Sequence, residues 1–283
     1  MVVDVTLDPI ITQIGPFQLG WHGVFTALAV MTAVWVGWRG AVGRGVPAAA
    51  LERSITWALV GGVVGARFFH VLDHLPAYLA NPLAVLAVWQ GGIAVYGAFL
   101  GGIAGGLLAA HRARLAPWPL LDAAAPAMLV GQAIGRLGCL ANGDAWGAPC
   151  GALAPLCLAY GNPHDLLPAA LLGVPTHPYP LYEIAADLLL LLALGRARRP
   201  GLRPGDTFLA AVVGYAAIRF GLTFFRQEAV VLWGLQEAQV VAAITASLAL
   251  GVWLLRARQP RGGGDGRLVA LAGAPGGQHQ ENR

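Results

Sequence analysis

Four arginines, Arg67, Arg136, Arg219 and Arg226, lie inside runs of sequence otherwise suited to lipid. A guanidinium at the centre of a membrane helix costs about 2.5–3.5 kcal/mol on the insertion scale. It cannot escape that cost by losing its proton. Each one therefore needs an acidic neighbour, a route for its side chain to the interface, or an anionic guest. Arg226, at the end of its apolar run, suits the first two solutions and the third equally. Arg136 and Arg219 point to the guest.

Further groups able to do chemistry lie near these arginines. The run Gly135-Arg136-Leu137-Gly138-Cys139-Leu140-Ala141-Asn142-Gly143-Asp144-Ala145-Trp146-Gly147 holds a cation, an amide and a carboxylate within nine residues, with glycines that allow close backbone approach. Tyr215 lies one helical turn before Arg219. Glu183 opens an apolar run, where it either satisfies N–H groups at a helix start or pairs with one of the arginines. Asp187 follows on the same face. His22 reads as a base or as a hydrogen-bonded packing residue, and His177-Pro178 as a turn. Asp122 sits near the inner end of its span, at the interface. Cys139 reads as a small packing residue. Cys150 and Cys157, on the oxidising side, are either a disulfide or two thiols.

Positioning these groups requires membrane helices. Only 11% of the 283 residues are charged and 57% are hydrophobic, against about 25% charged in ordinary soluble domains. All 18 basic residues are Arg, scattered in short clusters between apolar runs, which argues against nucleic acid as a partner. Residues 1–17 carry Asp4 and Asp8 and no basic residue, so the first apolar run is read as a retained helix rather than a signal peptide.

A span needs about 20 mostly apolar residues, and seven are predicted, over roughly 18–38, 55–75, 88–110, 119–141, 181–195, 206–226 and 233–255. The expected fold class is thus all-α, a polytopic bundle of seven transmembrane helices. It occupies residues 1–259, with 142–180 as a long outer loop and 260–283 as a disordered cytoplasmic tail. The pairs Gly61/Gly65, Gly97/Gly101, Gly101/Gly105 and Gly131/Gly135 have the spacing that lets membrane helices approach closely.

The loops after spans one, three and five and the tail carry Arg, whereas 76–87, 142–180 and 227–232 carry none. That asymmetry predicts an outer amino terminus and a cytoplasmic carboxyl terminus. All four unusual arginines then fall in the outer half of the bilayer.

The run 135–147 resembles the signature of the bacterial prolipoprotein diacylglyceryl transferases, close to Gly-Arg-x-Gly-Asn-x-x-Asn-Gly-Glu-x-x-Gly. Trp21-His22-Gly23, Gly65-Ala66-Arg67, Trp89 to Gly97, His177-Pro178-Tyr179-Pro180-Leu181-Tyr182-Glu183, Gly214-Tyr215 with Arg219, and Phe224-Phe225-Arg226 agree in type and order. The likeness runs from about residue 20 to 256. It implies transfer of the diacylglyceryl group of phosphatidylglycerol to the lipobox cysteine thiol of a prolipoprotein, with release of glycerol phosphate, in the bacterial cytoplasmic (inner) membrane. It implies no metal and no cofactor.

On that reading Arg136 and Arg219 take up charge on the leaving phosphate. Arg67, Asn142, Asp144, Tyr215 and Arg226 help bind the phospholipid. Tyr96 occupies the position of the family's base and activates the thiol or orients substrate; His22 and Glu183 are further candidates. The chain departs from the pattern at His22 (Tyr), Tyr96 (His), Cys139 (Asn), Asp144 (Glu) and Thr223 (Glu). These departures keep a non-catalytic lipid- or precursor-binding homologue in view. An anion transporter is the remaining alternative, although the inner halves of the spans are apolar and no inverted repeat is seen.

Overall fold

The computed structural model describes residues 1–15, 17–87, 92, 94–151, 154–197, 201–226 and 229–259, with backbone alone for Phe17, Val95 and Tyr96. It is mostly helical, at 68%. The helices are α1 (Trp21–Val42), α2 (Ala48–Asp73), the short α3 (Leu75–Ala80), α4 (Val95–Arg112), α5 (Pro117–Asn142), α6 (Tyr179–Ala197), α7 (Asp206–Leu222) and α8 (Glu237–Arg258). Among the described residues, α1, α2, α5, α7 with its following turn, and α8 are the five helices long and apolar enough to cross a membrane. Trp57, Val63, Val64, Phe68, Leu248 and Leu255 stand exposed on them, as side chains facing lipid would.

The described helices follow the predicted spans, and their ends differ for local reasons. α2 starts at Ala48, directly after Pro47, because proline fixes its own φ and lacks only an N–H that a helix start leaves unpaired. It therefore takes in the polar residues Glu52 and Arg53. α4 starts at Val95, and residues 88–91 and 93 of the third predicted span lie outside the described residues. The predicted sixth span breaks after Leu222 into a 3₁₀ turn, Thr223–Phe225. α8 begins only at Glu237, because Trp233 (φ 49°) and Gly234 (φ 79°) turn a hairpin ahead of it. The predicted tail, 260–283, lies outside the described residues.

Six short strands, unforeseen in an all-α reading, pair two by two. β1 (Val2–Val5) runs parallel to β4 (Cys157–Tyr160), with Val2 opposite Cys157 and Val5 opposite Tyr160. β2 (Ile10–Ile14) and β3 (Phe17–Gly20) form a hairpin, as do β5 (Val230–Leu232) and β6 (Leu235–Gln236).

The residues fall into two compact units. One comprises Met1–Arg39 with Leu121–Arg258, and Gly40–Leu120 belong to the other. In the first unit the segment between α5 and α6 is a folded head rather than a loose loop. Leu158, Tyr160 and Leu167 form its core, packed by Val5, Leu140, Trp146 and Leu171. Cys150 and Cys157 are joined by a disulfide across a Cα separation of 6.3 Å.

A second link ties the head to the helices. Gly147 lies against the backbone where α6 and the turn after α7 begin and end. An added Cβ there would sit 2.5 Å from the His177 carbonyl oxygen and 3.0 Å from that of Phe225. Ala148 donates its N–H to Phe225 O at 2.7 Å and accepts from His177 N at 2.9 Å.

Asp122 corrects the interfacial reading. It is buried, and its carboxylate accepts N–H groups of Gly205 (2.7 Å) and Phe208 (2.9 Å) at the start of α7. An anion is favoured there because the first N–H groups of a helix have no partner within it. Gly131 in α5 packs against Ala29 and Ala33 of α1, and Gly138 against His22 and Phe25.

In the second unit α2 and α4 meet glycine on glycine. Gly61, Gly65, Gly97, Gly101 and Gly105 line the crossing, and a Cβ on any of them would strike backbone of the facing helix. Apolar association in lipid relies on such close packing because no water is expelled. Arg67 on α2 turns to the segment before α4. Its Nε donates to Val85 O (2.8 Å), Nη1 to Gly92 O (2.8 Å), and Nη2 to Ala84 O (2.5 Å) and Ala87 O (3.4 Å). Its guanidinium also lies over the Tyr78 ring.

Two substitutions test these contacts. Gly101→Leu forces α2 and α4 apart and should destabilise the detergent-solubilised protein by about 1–3 kcal/mol or more, read as a lowered midpoint of thermal unfolding. Gly147→Val should detach the head from the 177 and 225 segments, read as faster proteolysis within 148–176 than in wild type.

Candidate functional site

Three of the four singular arginines meet in the first unit. Arg136 comes from the last turns of α5, Arg219 from the last turn of α7, and Arg226 from just beyond the 3₁₀ turn. They gather at the start of α6, where Tyr179 and Glu183 are one turn apart and so share a face. Both are buried, with Tyr179 0% and Glu183 1% exposed.

Glu183 is the common partner. Arg136 Nε lies 2.5 Å from Oε2, and Arg136 Nη2 donates to Oε1 at 3.1 Å. Arg219 Nη1 reaches the same Oε1 at 3.0 Å. That atom also donates to the Tyr179 hydroxyl at 2.5 Å, and the hydroxyl donates on to Glu183 Oε1 at 3.2 Å. Arg226 completes the group by lying over the Tyr179 ring, 4.9 Å from its centroid. Tyr215 lies near Glu183, Arg136 and Arg219. Between the two alternatives for Glu183, the structure has the ion pair.

Three guanidiniums face one carboxylate in this cluster. Asp187, one turn further along α6, is fully buried, and neither of its oxygens has a hydrogen bond. Its surroundings are Glu183, Arg136 and Gln132. The guanidiniums of Arg136 and Arg219 are not sealed in, since their side chains are 19% and 21% exposed. The arrangement is held from outside by the Thr223 hydroxyl on Arg219 O (2.6 Å) and by Gln236 on Arg226 O (3.2 Å). His177 stacks edge-on to Phe225 and reaches the Tyr182 hydroxyl at 3.3 Å.

A second group adjoins it. Asn142 Nδ2 donates to Asp144 Oδ2 at 3.2 Å. His22 Nδ1 lies 3.5 Å from the same oxygen. Arg136 Nη1 contacts Cys139 Sγ at 3.7 Å, which links this group to the first. His22, Cys139 and Asp144 are thus brought together, and they are three of the positions at which the chain departs from the signature given above. Among the described residues they are also the group whose donor atoms lie close enough to share a metal ion.

Arg67 belongs to the second unit, where backbone carbonyls engage its guanidinium. The side chain of Tyr96 lies outside the described residues. Sequence reasoning passed over Tyr179 as a site residue. Its position four residues before Glu183 on one helix face was the available signal. Gln132 was also missed, and nothing in its polar type alone marks it out.

Comparison with known proteins agrees with this geometry. The family model for prolipoprotein diacylglyceryl transferase matches residues 9–255. Proteins named phosphatidylglycerol–prolipoprotein diacylglyceryl transferase are similar to the chain over most of their length. The protein from Geobacillus kaustophilus is 33% identical over 254 residues, 88% of this chain and 93% of its own. That from Trichormus variabilis is 33% identical over 261 residues, covering 89% and 91%. That from Synechococcus elongatus is 34% identical over 251 residues, covering 86% and 85%. With the arginine cluster in place and the match spanning nearly the whole chain, the protein belongs to the prolipoprotein diacylglyceryl transferase family.

Proposed function

We propose that this chain transfers the diacylglyceryl group of phosphatidylglycerol to the lipobox cysteine thiol of a prolipoprotein. The observation that carries the reading is the gathering of Arg136, Arg219 and Arg226 on Glu183 and Tyr179. In the reaction the thiol sulfur attacks the glyceryl carbon next to the phosphate and a carbon–sulfur bond forms. The carbon–oxygen bond to phosphate breaks, its electron pair stays on glycerol phosphate, and the thiol proton is lost. Charge grows on the phosphate oxygens, so fixed guanidiniums around them stabilise the transition state more than the ground state.

Glu183 holds two of these guanidiniums at a set spacing. Asn142, Asp144 and Tyr215 line the approach, with His22 beside Asp144. Tyr96 is assigned to orienting substrate or activating the thiol, on the family resemblance alone. Arg67 supports the segment leading into α4 through its carbonyl contacts, and its part in lipid binding is indirect.

The setting is the bacterial cytoplasmic membrane. α4 and α6 join the five apolar helices as spans, giving seven, with the amino terminus outside and the carboxyl terminus in the cytoplasm. The disulfide of the head fits the outer, oxidising side.

Arg136→Ala and Arg219→Ala should each lower transfer by about 10²–10³-fold. Incorporation of labelled diacylglyceryl from phosphatidylglycerol into a lipobox peptide by the purified variants would read this, and activity near wild type in both would overturn the reading. Glu183→Gln should abolish transfer and also destabilise the fold by about 3–5 kcal/mol, because it removes one partner of a buried pair. The same assay with a thermal unfolding curve in detergent checks both effects.

A further inference from the structure

We propose that His22, Cys139 and Asp144 form a site for a divalent cation of the zinc class. One donor atom from each residue lies within 4.8 Å of the other two. His22 Nδ1 and Asp144 Oδ2 are 3.5 Å apart. Two ligands about 2.0–2.1 Å from a tetrahedral ion stand roughly 3.3 Å from each other. The pair is thus already spaced for a shared ion. Asp144 Oδ1 is buried and makes no hydrogen bond, and His22 Nδ1, also buried, has only its 3.5 Å approach to Asp144 Oδ2. Unpaired buried polar atoms are rare enough to need a partner, and one cation serves both.

The donor set is a thiol, an imidazole and a carboxylate. Sulfur and imidazole together favour zinc-class ions over magnesium or calcium, which take oxygen ligands. The supports around the three residues are fixed. His22 opens α1 and Cys139 closes α5. The two helices touch at Gly138, where an added Cβ would come 3.1 Å from His22 Cα. Asn142 donates to Asp144 Oδ2 and orients that carboxylate, as outer hydrogen bonds orient metal ligands elsewhere. Arg136 Nη1 lies 3.7 Å from Cys139 Sγ, and Arg136 is itself paired with Glu183. The side chains of His22 and Asp144 are 43% and 28% exposed, so an ion has a way in.

The test is a cobalt(II) titration of the full-length protein in detergent, followed by displacement with zinc. The chain has three cysteines, and two of them form the disulfide. A thiolate-to-cobalt absorption band therefore reports Cys139 alone. The expected result is one cobalt per chain. The band should vanish in Cys139→Ala, and affinity should fall at least about tenfold in His22→Ala and Asp144→Asn. In the wild-type protein zinc should also slow alkylation of Cys139, a readout independent of how the variants fold. The proposal is overturned if wild type shows no band. It is equally overturned if His22→Ala and Asp144→Asn bind cobalt as tightly as wild type, or if zinc leaves the alkylation rate unchanged.

Discussion

A single buried carboxylate organises the polar interior of this protein. Glu183 accepts from Arg136 of α5 and Arg219 of α7 while standing on α6. Three helices are thereby pinned to one another by charge in surroundings where apolar contact alone carries little directional information. Tyr179 extends the arrangement, since its hydroxyl shares the Glu183 oxygen and its ring carries Arg226.

The second unit handles a buried guanidinium differently. Arg67 is engaged by carbonyl oxygens of residues 84, 85, 87 and 92. Carbonyl dipoles solvate the charge, and in return the segment before α4, which includes a 3₁₀ turn over Pro82–Leu86, has acceptors satisfied. The same residue type thus meets a carboxylate in one unit and backbone carbonyls in the other. Glycine plays a related part, because α2 and α4 approach so closely that backbone itself becomes the contact surface.

The helical layout was legible because apolar runs of membrane length leave little other choice, and Arg136, Arg219 and Arg226 stood out against them. What escaped reading were contacts between distant positions. Asp122 caps α7 from 83 residues away, and no local pattern names the partner of an acidic residue. β1 and β4 are short and ordinary in composition, and become strands by finding each other. Helix ends shifted where turn chemistry intervened, as at Trp233-Gly234. Glu183 had two readings on sequence, and only the placement of α5 and α7 around α6 separates them.

The parallel pairing of Val2–Val5 with Cys157–Tyr160 has a consequence for biogenesis. A ribosome makes β1 first, yet its hydrogen-bonding partner follows only after α1 to α5 have been synthesised. Until then the leading strand has an unsatisfied edge, and Cys157, opposite Val2, has yet to meet Cys150. Sealing of the head is therefore a late event in assembly. Translation stalled before residue 160 would leave the helices made by then with their head still open.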